Sequence, residues 1–241
     1  MGNHNSRHGN SKHIVAYQTH RNDRENFYNE TWPSKLKELE SELDEQQVMK
    51  LDRIGKKLMD CMENRTNYPD HAFLQLVCSQ YMLKKGYDVI VEYWEDPLRC
   101  DIKAYGPGSN DRDEISIEVE TGHTYPESRI MEVVEDRRGR EIRKIGLYSY
   151  TSKRFAFCIP SNYVLQLPKE FAKPPDERDS EKMMEYLGVC HNYCRRAGKS
   201  MKPTFEDLLN AELDMILIVD PVGMTVTEKN VKEYMSTCSV Y

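Results

Sequence analysis

Two short stretches decide how this chain is read: RCDIKAY at residues 99–105 and EISIEVETG at residues 114–122. Side chains on a strand point to alternate faces with a period of two, and both stretches keep that period. In the first, Leu98, Cys100, Ile102 and Ala104 form an apolar face, with Asp101 and Lys103 opposite. In the second, Ile115, Ile117 and Val119 are apolar, and Glu114, Ser116, Glu118 and Glu120 oppose them. The GPGSNDRD segment at 106–113 has the chemistry of a turn and loop. Together they read as a hairpin with Asp101, Glu118 and Glu120 on its polar face. Such a face is either solvated, as in one-sided antiparallel sheets, or a seat for a hard divalent cation. Mg²⁺ takes oxygen ligands from one or two carboxylates and keeps water for the rest. Like charges at i and i+2 with no base between them, and a glycine just beyond, weigh toward a site.

Working outward, residues 69–85 have the pattern of a helix that buries Ala72, Phe73, Leu76, Val77 and Leu83, and Gly86 suits its end. A strand over 87–94 follows, then the acidic hairpin, a helix over 138–151 and a strand over 154–160. This order of elements, with an Asp followed by a Glu-x-Glu in the next strand, resembles the PD-(D/E)XK nuclease superfamily over residues 69 to 160. The resemblance implies an α/β fold: a restriction-endonuclease-like mixed sheet flanked by helices. It implies metal-dependent cleavage of phosphodiester bonds in DNA, with Asp101 and Glu118 binding Mg²⁺ or Mn²⁺. Glu120 stands where the superfamily carries lysine, and would be a third ligand or a base. The missing ammonium would come from Lys144, flanking the stripe of Ile142 and Ile145, or from Lys103. Arg140, Arg143 and Lys144 would grip the nucleic-acid backbone. His71 or Gln75 would take the place of an acid often found on the first helix, and His123 follows the third strand closely. The alternative is a catalytically inactive module of the same fold that binds nucleic acid or a protein partner.

The flanks divide the chain into a polar, His-rich tail (1–30), a helical arm (31–66) and the α/β domain (67–241), the last with a C-terminal extension from 161. Leu36, Leu39 and Leu43, then Leu51, Ile54, Leu58 and Met62, mark the arm's apolar stripe, with Thr31 as its expected cap. It either drapes over the core, as one helix or two, or forms the arm of a homodimer. An interaction protein working through this arm is the remaining reading. LDMILIVD at 213–220 reads as a strand and 227–236 as a closing helix. Cys190, His191 and Cys194 lack the second ligand pair that structural zinc needs and read as core thiols.

A net charge of −6 with 31% charged residues describes a surface-rich chain that does not attract nucleic acid by charge alone. Between Arg137 and Arg154, however, seven bases face one acid, Glu141. No apolar run reaches the length of a membrane span. Seven cysteines, an odd number, suggest reduced thiols and a cytoplasmic location.

Overall fold

The computed structural model describes residues 27–107, 113–122 and 130–238. The expected tail, up to residue 26, and His123 lie outside them. A mixed sheet of six strands runs in sequence order: β1 (Asp88–Glu95), β2 (Leu98–Tyr105), β3 (Glu114–Val119), β4 (Arg154–Pro160), β5 (Met215–Asp220) and β6 (Thr225–Asn230). The β3–β4 and β4–β5 pairs are parallel and the other three antiparallel. Seven α-helices flank it among the described residues: α1 (Trp32–Glu40), α2 (Glu45–Glu63), α3 (Pro69–Lys84), α4 (Ile130–Tyr148), α5 (Ser180–Arg196), α6 (Phe205–Asn210) and α7 (Val231–Cys238). The expected α/β mixed sheet with flanking helices is the fold observed.

Two cores sandwich the sheet. Ala156 and Cys158 of β4 and Leu217 and Val219 of β5 join α1, α2 and α3 in one; Phe155, Phe157, Ile159 and Ile216 join α4, α5, α6 and α7 in the other. Burial on both faces explains why these strands read as continuous apolar runs. The arm is two helices, separated by a capping box in which Asp44 accepts from the Gln47 amide (2.9 Å) and Gln47 accepts from the Asp44 amide (3.1 Å). Trp32, Leu39, Leu51, Ile54, Leu58 and Met62 pack into the same core as the strands. Thr31 makes no capping hydrogen bond, because it closes a short π-helical turn, Phe27–Thr31, that runs directly into α1.

Further expectations need correction: Phe73 is only partly buried, and the helix expected at 138–151 runs from Ile130 to Tyr148. The closing helix starts only at Val231; the segment before it, TVTEKN, pairs antiparallel with β5 as an edge strand rich in β-branched and charged residues. The apolar face of β2 is also not continuous. Leu98 and Cys100 belong to the α4–α7 core, whereas Ile102 and Ala104 belong to the α1–α3 core. The reversal falls at Asp101, opposite Glu92 of β1, whose φ of 53° is left-handed and interrupts the ladder between the Val91–Ile102 and Tyr93–Cys100 pairs.

Among the described residues no helix is long and apolar enough to cross a membrane. Cys61, Cys78, Cys100, Cys158, Cys190 and Cys194 are free and buried.

Leu58 of α2 is fully buried against the strands. Leu58→Ala should therefore cost about 2–5 kcal/mol in urea denaturation. An unchanged midpoint would show that the arm is not part of the folded core.

Candidate active site

The interrupted rung between β1 and β2 sits where β2 and β3 part, and polar side chains replace the ladder there. The Val119 amide donates to Asp101 Oδ2 (2.8 Å), and the Asp101 amide donates to Glu118 Oε1 (3.1 Å). The side chains of both acids thus bridge the two strands. Gln75 of α3, fully buried, donates to the Asp101 carbonyl (2.9 Å) and to Glu92 Oε1 (3.0 Å). Asn67, just ahead of α3, donates to Glu92 (2.8 Å) and to Gln75 Oε1 (2.6 Å). Arg99 completes the Glu92 carboxylate with an ion pair.

From the other side of the sheet α4 delivers Lys144. Its Nζ lies 3.0 Å from Glu118 Oε2, 2.9 Å from Glu120 Oε1 and 3.8 Å from Asp101 Oδ2, and donates to the Val119 carbonyl (3.1 Å). Arg140, one turn earlier, pairs with Glu120 Oε2 at 2.8 Å. Glu118 and Glu120 are 2% and 3% exposed, so their face is covered by α4 rather than solvated. Gly122 follows with φ of 77°, and a Cβ there would stand 2.7 Å from the Tyr163 ring, so only glycine fits this exit.

The protonation states follow from these contacts. Burial pushes the Asp101 carboxyl up, but the charges of His71 and Lys144 and the hydrogen bonds from His71 and the Val119 amide outweigh it, down to about 2. Burial and the neighbouring Asp101 charge push Glu118 up to about 8, against the pull of Lys144. Burial works against a charged Lys144, yet Glu120, Glu118 and Asp101 raise its pKa well above the ordinary lysine value. His71 Nε2 lies 3.3 Å from Asp101 Oδ2; burial opposes its charge, Asp101 favours it, and the net shift is upward. Behind Arg140, burial and the Glu120 charge push Glu141 up to about 8, while Tyr163 Oη and the Gln166 amide donate to it (both 2.6 Å).

The structure therefore brings Asp101, Glu118, Glu120, Lys144, Arg140, His71 and Gln75 together. It does not bring Lys103 or Arg143. Lys103 shares its strand with Asp101, but its ammonium is bound to Glu95 (3.1 Å) and to the Thr151 carbonyl. Arg143 donates to the Met201 carbonyl (3.0 Å), because one residue of helix turns it away from the stripe that Arg140 and Lys144 share. Other bases of the run are also engaged: Arg137 over the Tyr163 ring and on the Gly122 carbonyl, Arg154 with Asp113. Cys190 and Cys194 are core thiols and His191 contacts the Pro203 carbonyl.

Glu92 is the residue the sequence reading lacks. His71, Glu92 and Asp101 each offer a donor atom, all within 4.8 Å of one another. Ligands on opposite sides of one Mg²⁺ lie ~4 Å apart at ordinary bond lengths, so small side-chain adjustments would fit the set to a divalent cation. A cleft of about 400 Å³ opens over these residues, bordered by Tyr68, Arg99, Glu120, Arg140, Lys144 and Lys199.

Comparison with protein-family models, with curated proteins and with solved structures gives no match.

Two outcomes test the electrostatics. Lys144→Met removes one partner of the buried pair with Glu120 and should destabilise by about 3–5 kcal/mol at neutral pH, with partial recovery when Glu120→Gln is added. Full stability of the single variant would show that the ammonium is not what balances the acids. Glu118 has a folded-state pKa raised from 4.5 to about 8, so its contribution is complete below pH 4.5 and fades as pH rises to 8. The urea midpoint of the wild type should accordingly fall relative to that of Glu118→Gln across this window; a rise would overturn the assignment.

Proposed function

We propose that the protein is a metal-dependent nuclease that hydrolyses phosphodiester bonds in DNA. The observation that carries this reading is the position of Lys144: an ammonium from α4 stands among Glu118, Glu120 and Asp101, beside a His–Glu–Asp donor set. It supplies the charge that the sequence lacks at position 120.

His71, Glu92 and Asp101 are the residues that would hold Mg²⁺ or Mn²⁺, with Asp101 already ionised at neutral pH. The imidazole moves the balance of this set toward Mn²⁺, since Mg²⁺ favours oxygen ligands alone. Glu118 and Glu120 hold Lys144 in place and take the third-ligand role only if the lysine moves aside. A cation bound there would polarise a phosphoryl oxygen and lower the pKa of bound water. Lys144 would stabilise the negative charge that grows on the phosphoryl oxygens, a fixed positive group in a site of low dielectric. Glu118, its pKa raised to about 8, would in its ionised fraction accept the proton of the attacking water. Arg140 and Arg99 would hold the phosphate on either side.

One feature favours the second reading, an inactive module of the same fold that binds nucleic acid or a protein partner. The acids already have cations from within the chain, Lys144 and Arg140 on Glu120 and Arg99 on Glu92.

The experiment is a cleavage assay in Mg²⁺ and in Mn²⁺ on duplex, branched and single-stranded substrates. Asp101→Ala should abolish metal-dependent cleavage with its circular dichroism retained, and Lys144→Ala should lower kcat by about 10²–10³. Glu92→Gln should weaken Mn²⁺ binding in calorimetry. Undiminished cleavage by a folded Asp101→Ala sinks the nuclease reading, and absence of wild-type cleavage with nucleic-acid binding kept by Asp101→Asn establishes the inactive module.

A further inference from the structure

The chain has two tryptophans with opposite environments. Trp32 is 2% exposed and belongs to the core, whereas Trp94, at the end of edge strand β1, is 67% exposed. An indole left in water at the rim of a polar cleft does nothing for the core, and its position is specific. A second cleft, of about 240 Å³, is bordered by Trp94 and by Lys57 of α2. It shares Thr66, Glu92 and Arg99 with the larger cleft over Asp101 and Lys144, so the two clefts adjoin. Tyr68, 71% exposed, borders the inner part.

We propose that the two adjoining clefts act as one groove, a track for unpaired nucleotides, in which Trp94 stacks on a base while Arg99 and Lys57 hold phosphates of the same strand. The inference rests on the nuclease reading, for whose site it names single-stranded nucleic acid as the substrate class. Three physical points carry it. Bases in a duplex are stacked on one another and hide their faces, whereas every unpaired base offers a face to an aromatic side chain. The groove wall mixes Lys57, Arg99 and Lys199 with Asp60, Glu92 and Asp101, and the chain carries a net −6, so charge attraction alone does not hold a duplex with its dense phosphates. Stacking supplies affinity that such a wall cannot. The route from Trp94 past Arg99 also ends at the His71, Glu92 and Asp101 donors, which delivers a phosphodiester to the groups that would act on it.

The test uses the whole 241-residue chain, in EDTA and again in Ca²⁺, titrated with short oligo(dT), oligo(U) and a duplex of matched length. The change in intrinsic fluorescence on binding reports Trp94, because the buried Trp32 is shielded from the strand, and Trp94→Phe removes that change; labelled-strand anisotropy gives affinity for the variants. Single strands should quench the fluorescence and bind more tightly than duplex, and oligo(dT) against oligo(U) separates DNA from RNA. Trp94→Ala should lose about tenfold or more in single-strand affinity, and Trp94→Phe should keep most of it. Equal affinity for duplex, or an unaffected Trp94→Ala, overturns the proposal. The two readings fail separately. Single-strand binding that depends on Trp94 without cleavage in any metal removes the nuclease and leaves the track. Metal-dependent duplex cleavage indifferent to Trp94→Ala keeps the nuclease and removes the track.

Discussion

The ammonium of Lys144, held among three carboxylates, is the interaction on which the centre of the molecule depends. Glu118 and Glu120 lie two residues apart on one face, nearly inaccessible to water. Uncompensated charges in such a place cost several kcal/mol each. Helix α4 can cover that face only in the rotation and height that bring Lys144 to Glu118 and Glu120, and Arg140 to the far oxygen of Glu120. Once α4 is so placed, Ile142 and Ile145 on its neighbouring stripe meet Phe155 and Phe157 of β4. Gly139 then faces α5 so closely that a Cβ would stand 2.5 Å from Tyr193 Cβ. The charged cluster fixes the helix, and the helix fixes the second core.

The opposite layer meets the same point through hydrogen bonds instead of ion pairs. Glu92 leaves the ladder with a left-handed backbone, and Asn67, Gln75 and Arg99 converge on its carboxylate. Buried polar networks are stabilising only when every member is satisfied. Here the Gln75 amide reaches both Glu92 and the Asp101 carbonyl, and Asp101 in turn accepts from the Val119 amide. The site acids are therefore also part of the splice between β2 and β3. A change at Asp101 alters local strand geometry along with charge, which is why loss of function there has meaning only beside a measurement of fold.

Much of this was legible in the sequence, for reasons specific to each element. Five strands and the helix at 69–84 follow from local periodicity. Lys144 could be picked out because an acid stood where a base was wanted and a helix with bases followed. Glu92 could not be. In DVIVEYWE it occupies an ordinary polar position between Val91 and Tyr93, and only its φ of 53° sets it apart. The same rung reverses Cys100 against Ile102, a change of face that strict alternation cannot express. Lys103 and Arg143 failed for another reason: a base near an acid in sequence is claimed by whichever acceptor the tertiary fold sets before it, Glu95 and Thr151 in one case and Met201 in the other.

The glutamate at position 120, where the resembled superfamily carries lysine, is consistent with the electrostatics around it. Its side chain and Lys144 approach the same volume from strand and helix, 2.9 Å apart. A lysine at 120 would set a second ammonium against Lys144 and leave the largely shielded Arg140 without its carboxylate. Buried like charges at such a distance repel strongly. Helix and strand are thus complementary: the helix supplies the cation, and the strand position carries an anion that holds the cation and its neighbouring arginine. Charge at this point of the fold is set by the sum over both elements, and a motif read along one strand alone sees half of it.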